Sequence, residues 1–348
     1  MSERVFLLKP CRTNDAQPVL TGDMVVNRLA DGGEVCIVLD LNVLNRFKDY
    51  MSSSAADRST DLIGDIAELK RILSMPLLTT TAGFAFGEAD ESYLDILMES
   101  YESFLEAELP GYVDAFNSIP VGRDRVRSRK YRALPAGEQR LFAFTYLSLL
   151  KIHDILLSEE KLSPEGKFDL YLEFMDGVAD FVPGIETEVA KHCFFKAPAD
   201  HGDAFFTRSR AIRKNFDKGG RGETRVDRIL NGARDIMYLR GAAAKEGKSL
   251  DGVIQDTWLL TCDAGVAALN NTIYFYPADG EQSKFTRLTD DSIRQRNSFW
   301  RYADRASASL LAERSRTRHG RTEFCNEKHL QVITNLAHSL STRLALRV

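Results

Sequence analysis

The sequence predicts an α/β fold: a central parallel sheet with helices around it, and a long helical stretch between its two main strands. Three observations carry this. Val35-Cys-Ile-Val-Leu39 is a short, β-branched apolar run that leads straight into Asp40. Runs of that kind form strands buried on both faces of parallel sheets. Thr257-Trp-Leu-Leu-Thr-Cys262 is a second apolar run ending in an acid, Asp263. The stretch separating the two runs is dominated by helical periodicity.

Taken in order, Val5 to Leu8 reads as a short strand, and Asp31-Gly-Gly33 as the turn into the central strand. Asn45 to Met51 reads as helix until Ser52-Ser-Ser54 breaks it, and Asp61 to Leu73 repeats apolar residues at helical spacing before Met75-Pro76. A helix is expected over Glu91 to Leu109. Gly137 to Leu157 is apolar on most sides, which predicts a buried helix. Ser163-Pro164 is a helix start, with a serine cap and proline in the first position. Ile185 to Phe195 and Glu223 to Glu246 read as further helices, while Gly219-Gly220 and Gly222 mark a loop. Asn271 to Tyr276 reads as a strand stopped by Pro277. From Thr289 the tail is helical, and its last helix, about Asn326 to Leu346, carries an apolar stripe suited to packing or to a homo-oligomer seam.

The chain has 348 residues, 44% hydrophobic and 28% charged, with a net charge of −4. This is the composition of a globular protein. It excludes a basic nucleic-acid coat. No apolar run approaches the ~20 residues of a membrane span, and the N-terminal apolar stretch is too short for a signal peptide. No membrane association is expected, and the expected location is the cytoplasm. The five cysteines form no Cys-x-x-Cys pair, so reduced, buried thiols are expected rather than disulfides or zinc.

A carboxylate at the carboxyl end of a parallel strand sits where open α/β sheets place ligands. Asp40 and Asp263 both occupy that position. Buried there, an acid needs a partner, and a hard divalent cation is one. The competing reading is that each Asp caps the helix after it. The charge distribution adds local basic runs. Arg125, Arg127, Arg129, Lys130 and Arg132 lie in one, and Arg208, Arg210 and Arg213 in another. Tyr131 and Phe216 are interleaved with them, a mix suited to single-stranded nucleic acid.

A strand of the form hydrophobic-Asp-x-Asn-hydrophobic (Leu39-Asp-Leu-Asn-Val43), a helix carrying Asp235-Ile236 and a strand ending Leu260-Thr-Cys-Asp263 together resemble the PIN-domain nucleases, over residues 33–50, 80–100 and 225–280. The resemblance implies a three-layer α/β/α domain with a central parallel sheet. Residues 1–109 and 225–290 would form it, 110–224 would be a mostly helical insertion, and 291–348 a helical C-terminal segment. It also implies a metal-dependent ribonuclease with catalytic acids Asp40, Glu88, Asp235 and Asp263. Of these Asp40, Asp235 and Asp263 would hold Mg²⁺ or Mn²⁺, with Asn42 and Thr261 supporting the carboxylates. The second acid is a glutamate early in a helix, for which Glu91 is the alternative to Glu88. The implied partners are RNA or single-stranded nucleic acid, and a protein inhibitor or regulator. The rival functions are a non-catalytic nucleic-acid-binding or regulatory protein on the same fold, and a phosphohydrolase of small esters.

Overall fold

The computed structural model describes residues 4–12, 16–112, 128, 130–198, 203–250, 252–277, 284–288, 292–317 and 326–347. In chain order the elements begin β1 (Phe6–Leu8), α1 (Gly22–Ala30), β2 (Gly33–Leu39), α2 (Leu41–Ser52), α3 (Thr60–Leu73), β3 (Thr79–Thr81), α4 (Gly83–Glu88) and α5 (Glu91–Glu108). Five long helices follow: α6 (Ala136–Ser158), α7 (Pro164–Gly177), α8 (Gly184–Phe194), α9 (Ala204–Phe216) and α10 (Gly222–Lys245). Then come β4 (Ser249–Leu250), β5 (Val253–Thr261), α11 (Ala264–Asn270), β6 (Ile273–Pro277), β7 (Lys284–Leu288), α12 (Ser292–Arg296), α13 (Ser298–Thr317) and α14 (Glu327–Ala345). The chain divides into two compact units, Met1–Ser128 with Tyr238–Arg287, and Arg129–Met237 with Leu288–Val348.

The first unit is α/β. Its main sheet has the order β1-β5-β2-β3, with β4 paired to β5, while β6 and β7 pair separately. β2 runs parallel to both neighbours, with Leu39 opposite Leu260 and Val38 opposite Thr81. The expected purely parallel sheet is corrected here. β1 and β4 are antiparallel to β5, so the sheet is mixed. Only two residues separate β4 from β5, and a parallel pair needs a crossover far longer than that. β1 is a three-residue strand at the sheet edge, where antiparallel strands commonly join parallel sheets.

Alternation along β2 explains its uninterrupted apolar run. Val35, Ile37 and Leu39 join the main core with Trp258 and Leu260, and Cys36 and Val38 on the opposite face are buried too. The core continues into α2, α3 and α5, where the rings of Phe47 and Phe104 stack 4.0 Å apart. The helices start where capping chemistry predicts. Ser59 Oγ accepts the N–H of Leu62 at the head of α3, and Thr21 caps α1 in the same way.

The second unit is helical. α6 is long and apolar enough to cross a membrane by length and composition, and 61% of that stretch is buried inside the protein. It packs on α14, α7 and α8. Ser163 caps α7 and Pro164 opens it. α9 covers sequence that reads only as a basic run. Its buried Phe205, Phe206, Ile212 and Phe216 form an apolar side under the arginines.

A buried ionic network ties α8 to α12 and α13. The guanidinium of Arg294 forks onto Glu188, with its Nη2 2.7 Å from Oε2, and also donates to Asp304 through Nε at 2.7 Å. Lys191 donates to Asp304 at 2.8 Å, and His192 Nδ1 lies 3.0 Å from Ser209 Oγ. Burial on its own raises the Glu188 pKa, but the Arg294 and Lys191 charges outweigh it and hold the carboxyl well below its ordinary value. Arg294 also lies over the Trp300 ring, 4.6 Å from its centroid.

Arg294→Met leaves the Glu188 carboxylate buried beside a reduced set of cations. The expected cost is about 3–5 kcal/mol, the usual penalty for orphaning one partner of a buried pair. It should appear as a lower denaturant midpoint when unfolding is followed through the fluorescence of Trp300 in a Trp258→Phe background.

Candidate active site at the carboxyl ends of β2 and β5

The parallel register of β2 and β5 places Asp40 and Asp263 one residue and two residues beyond their strands. The N–H of Asp40 still bonds to the carbonyl of Leu260 at 3.0 Å, so the ladder delivers the residue into the site. Asp40 is 3% exposed. Its Oδ2 accepts the hydroxyl of Thr261 at 2.5 Å and the side-chain amide of Asn42 at 3.3 Å, and its Oδ1 accepts the Asn42 N–H at 3.4 Å. Thr261 Oγ1 accepts the N–H of Asp263 at 3.0 Å. One hydroxyl therefore links the two acidic segments. Asp263 Oδ1 accepts the N–H groups of Gly265 and Val266 at 2.7 and 3.0 Å.

Both aspartates are N-caps, of α2 and α11 respectively. The capping reading holds geometrically, and it leaves the ligand reading open. Burial raises the Asp40 pKa, the charge of Asp263 raises it further, and the bonds from Thr261 and Asn42 pull the other way. The result is a carboxylate held by neutral donors next to a second carboxylate.

Glu88 is the last residue of α4 rather than an early residue of α5, which Asp90 caps. Its Oε2 accepts the hydroxyl of Tyr238 at 3.0 Å, and that hydroxyl accepts the N–H of Leu41 at 3.3 Å. Burial raises the Tyr238 pKa well above its ordinary value, and the charges of Glu88 and then Asp40 add to it. Tyr238 thus links the glutamate to the residue after Asp40. In the sequence it looks like one more apolar-face residue of a long helix, and the only hint is its place three residues after Asp235. Glu91 is exposed in the first turn of α5. Behind the site, Arg46 Nε pairs with Asp65 at 3.0 Å. Burial pushes the Cys262 thiol up to about 12, which keeps it protonated.

Asp235 falls in the helical unit, where its Oδ2 accepts the amide of Asn215 at 3.0 Å. The structure brings Asp40, Asn42, Thr261 and Asp263 together, and joins Glu88 to them through Tyr238.

Of the basic candidates, Arg125, Arg127 and Arg129 lie outside the described residues. Arg132 donates to the carbonyl of His338 at 3.0 Å, and Lys130 approaches Glu223 at 3.9 Å. Arg210 donates to the carbonyl of Pro198 at 2.6 Å, and Arg213 to Asp217 at 3.3 Å. Arg208 is half-buried on α9.

Among the described residues no three of His, Cys, Asp and Glu are grouped as a metal cage. The carboxylate pair suits a cation that needs fewer protein ligands. Mg²⁺ typically keeps most of its waters and uses one or two carboxylates together with substrate phosphate. Asp263 Oδ2 accepts no hydrogen bond among the described residues, and burial, with the Asp263 charge adding to it, raises the Asp40 pKa. No protein-family model, curated protein or solved structure matches the chain.

The raised Asp40 pKa sets a sign. An acid whose folded value lies above its ordinary 3.8 costs stability as pH climbs from that value through the folded one, and the penalty persists above. Asp40→Asn, without added metal, is therefore expected to raise the unfolding midpoint at pH 7. A gain of ~1 kcal/mol corresponds to roughly 2–4 °C in a domain of this size. The difference should vanish below pH 4, as calorimetric scans across pH would record.

Proposed function

We propose that this protein is a metal-dependent phosphodiesterase, a ribonuclease built on a three-layer PIN-like α/β/α domain. The observation that carries the reading is the carboxylate pair Asp40–Asp263, set at the carboxyl ends of adjacent parallel strands and joined through Thr261. A divalent cation bound there would polarise the scissile phosphoryl group and lower the pKa of an attacking water.

The residues of the chain have separate tasks in this reading. Asp40 and Asp263 hold the cation. Thr261 and Asn42 fix the Asp40 carboxylate by donating to it, which leaves one acceptor position on Oδ1 that would face the metal. Glu88, oriented by the Tyr238 hydroxyl, completes the acidic rim and accepts a proton from the attacking water. Asp235, bonded to Asn215 in the helical unit, is given no task in this reading. The engagement of Glu88 by Tyr238 favours one second reading: a non-catalytic nucleic-acid-binding protein on the same fold.

Calorimetric titration with Mn²⁺ separates the two. The wild type is expected to bind, and Asp40→Asn with Asp263→Asn to abolish both binding and cleavage of single-stranded RNA. Thr261→Val keeps both acids and removes the hydroxyl between them. It should weaken Mn²⁺ binding about 10–100-fold, the usual effect of losing a ligand's supporting bond. A wild type that binds no Mn²⁺, alone or with a non-cleavable RNA, would sink the nuclease reading.

A further inference from the structure

The helical unit carries a second charged cluster, of opposite sign. Asp154 on α6 is 4% exposed. Three cations converge on it. Lys151 Nζ lies 3.2 Å from Oδ2, Arg343 Nη2 2.8 Å from Oδ2, and Arg347 Nη2 3.5 Å from Oδ1. One carboxylate balances one of them. The surplus is like charge held at close quarters, with a Coulomb cost of about 1 kcal/mol per pair at 4 Å even in bulk water.

One acid acts in the same region: against burial and Arg225, which lower the His153 pKa, the Asp217 charge raises it, and Asp217 is itself paired with Arg213 at 3.3 Å. The end of α14 meets the head of α10, where the Gly222 N–H donates to the carbonyl of Arg347 at 3.4 Å. A side chain at Gly220, just before it, would meet the backbone of Arg225 and the guanidinium of Arg228, so both lie beside this turn. Arg225 has no acidic partner among the described residues. It lies close enough to His153, next to Asp154 in the chain, to add to the lowering of that imidazole's pKa, most of which comes from burial. The acids in this region are already engaged. Asp217 pairs with Arg213, and Glu223 lies beside Lys130. Arg343 is 56% exposed and Arg347 36%, so their free donors face solvent.

We infer that Lys151, Arg225, Arg343 and Arg347 form a binding site for the phosphate backbone of single-stranded RNA. This deepens the ribonuclease reading and rests on it for the choice of polymer. A guanidinium presents paired donors that match phosphate oxygens, and Asp154 holds two such forks in place before any ligand arrives. A membrane surface would also attract these cations. Anchoring there needs an apolar face beside them, and among the described residues Leu346 alone is a large exposed apolar side chain at this end of α14. The site is distinct from the arginines of α9, whose donors are partly spent on Pro198 and Asp217.

The test is fluorescence anisotropy of the full chain with labelled oligouridylate, in EDTA and across a KCl series. Arg343→Gln with Arg347→Gln should make the slope of log K against log salt shallower by about 1.4, since each single-strand phosphate contact contributes about 0.7. Oligoadenylate should be affected equally. Arg225→Glu leaves Asp154 and its three cations intact, and should weaken binding in a variant that keeps its fold. Arg71→Gln with Arg140→Gln, a matched loss of charge elsewhere, should bind as the wild type does.

Unchanged binding in both site variants, an equal loss in the matched control, or a wild type that binds phosphatidylserine vesicles but no RNA would each overturn the inference. Asp40→Asn with Asp263→Asn, run in parallel, keeps the two ideas apart. RNA cleavage by the wild type with unaltered binding by the site variants defeats this inference alone. Binding lost in the site variants, with no cleavage by the wild type, defeats the nuclease reading alone.

Discussion

The parallel pairing of β2 with β5 is the constraint on which the acidic site depends. With Leu39 opposite Leu260, the strands end in step, and Asp40 lies beside Thr261 and just short of Asp263. A slip of one residue would turn every β2 side chain to the other face of the sheet. Val35, Ile37 and Leu39 would leave the core that Phe47, Phe104 and Trp258 complete. The hydrophobic effect therefore holds the register, and the register holds the carboxylates. Neither acid needs to favour its own position, because the apolar residues behind it set the geometry.

That arrangement has an electrostatic cost, which is met locally by neutral groups. Asp40 accepts from the Thr261 hydroxyl, the Asn42 amide and the Asn42 N–H, yet its pKa remains raised because burial and Asp263 prevail. Capping and ligation are compatible uses of such a residue. An N-cap needs one lone pair toward the helix, and a carboxylate has about four acceptor positions. Asp263 gives Oδ1 to α11 and keeps Oδ2 clear of hydrogen bonds among the described residues.

The helical unit solves the burial of charge in the opposite way. Glu188 is matched by Arg294 and Lys191 and is held ionised. Asp154 is over-matched by cations that reach solvent. The first arrangement closes on itself and serves to hold α8, α12 and α13 in register. The second leaves positive potential at the surface. The first unit leaves negative potential at its strand ends. Each imbalance is made by residues far apart in the chain.

The sequence by itself determined the elements whose signals are local. The apolar runs of β2 and β5 and the acids that end them are legible because a strand buried on both faces must be apolar throughout. The helices α3, α5, α6 and α14 are legible from their spacing, and α7 from Ser163-Pro164. α9 was hidden because its surface arginines mask the apolar positions beneath. Strand direction at β1 and β4, which makes the sheet mixed, depends on which edge each strand meets. Only the tertiary structure decided that Thr261 reaches Asp40 across 221 residues of chain, that Tyr238 holds Glu88 across 150, and that Arg343 closes on Asp154 across 189. The physical reason is the same in each case. A hydroxyl, a phenol or a guanidinium carries no local mark of its partner. The pair exists only after packing of the apolar faces has brought two distant segments together.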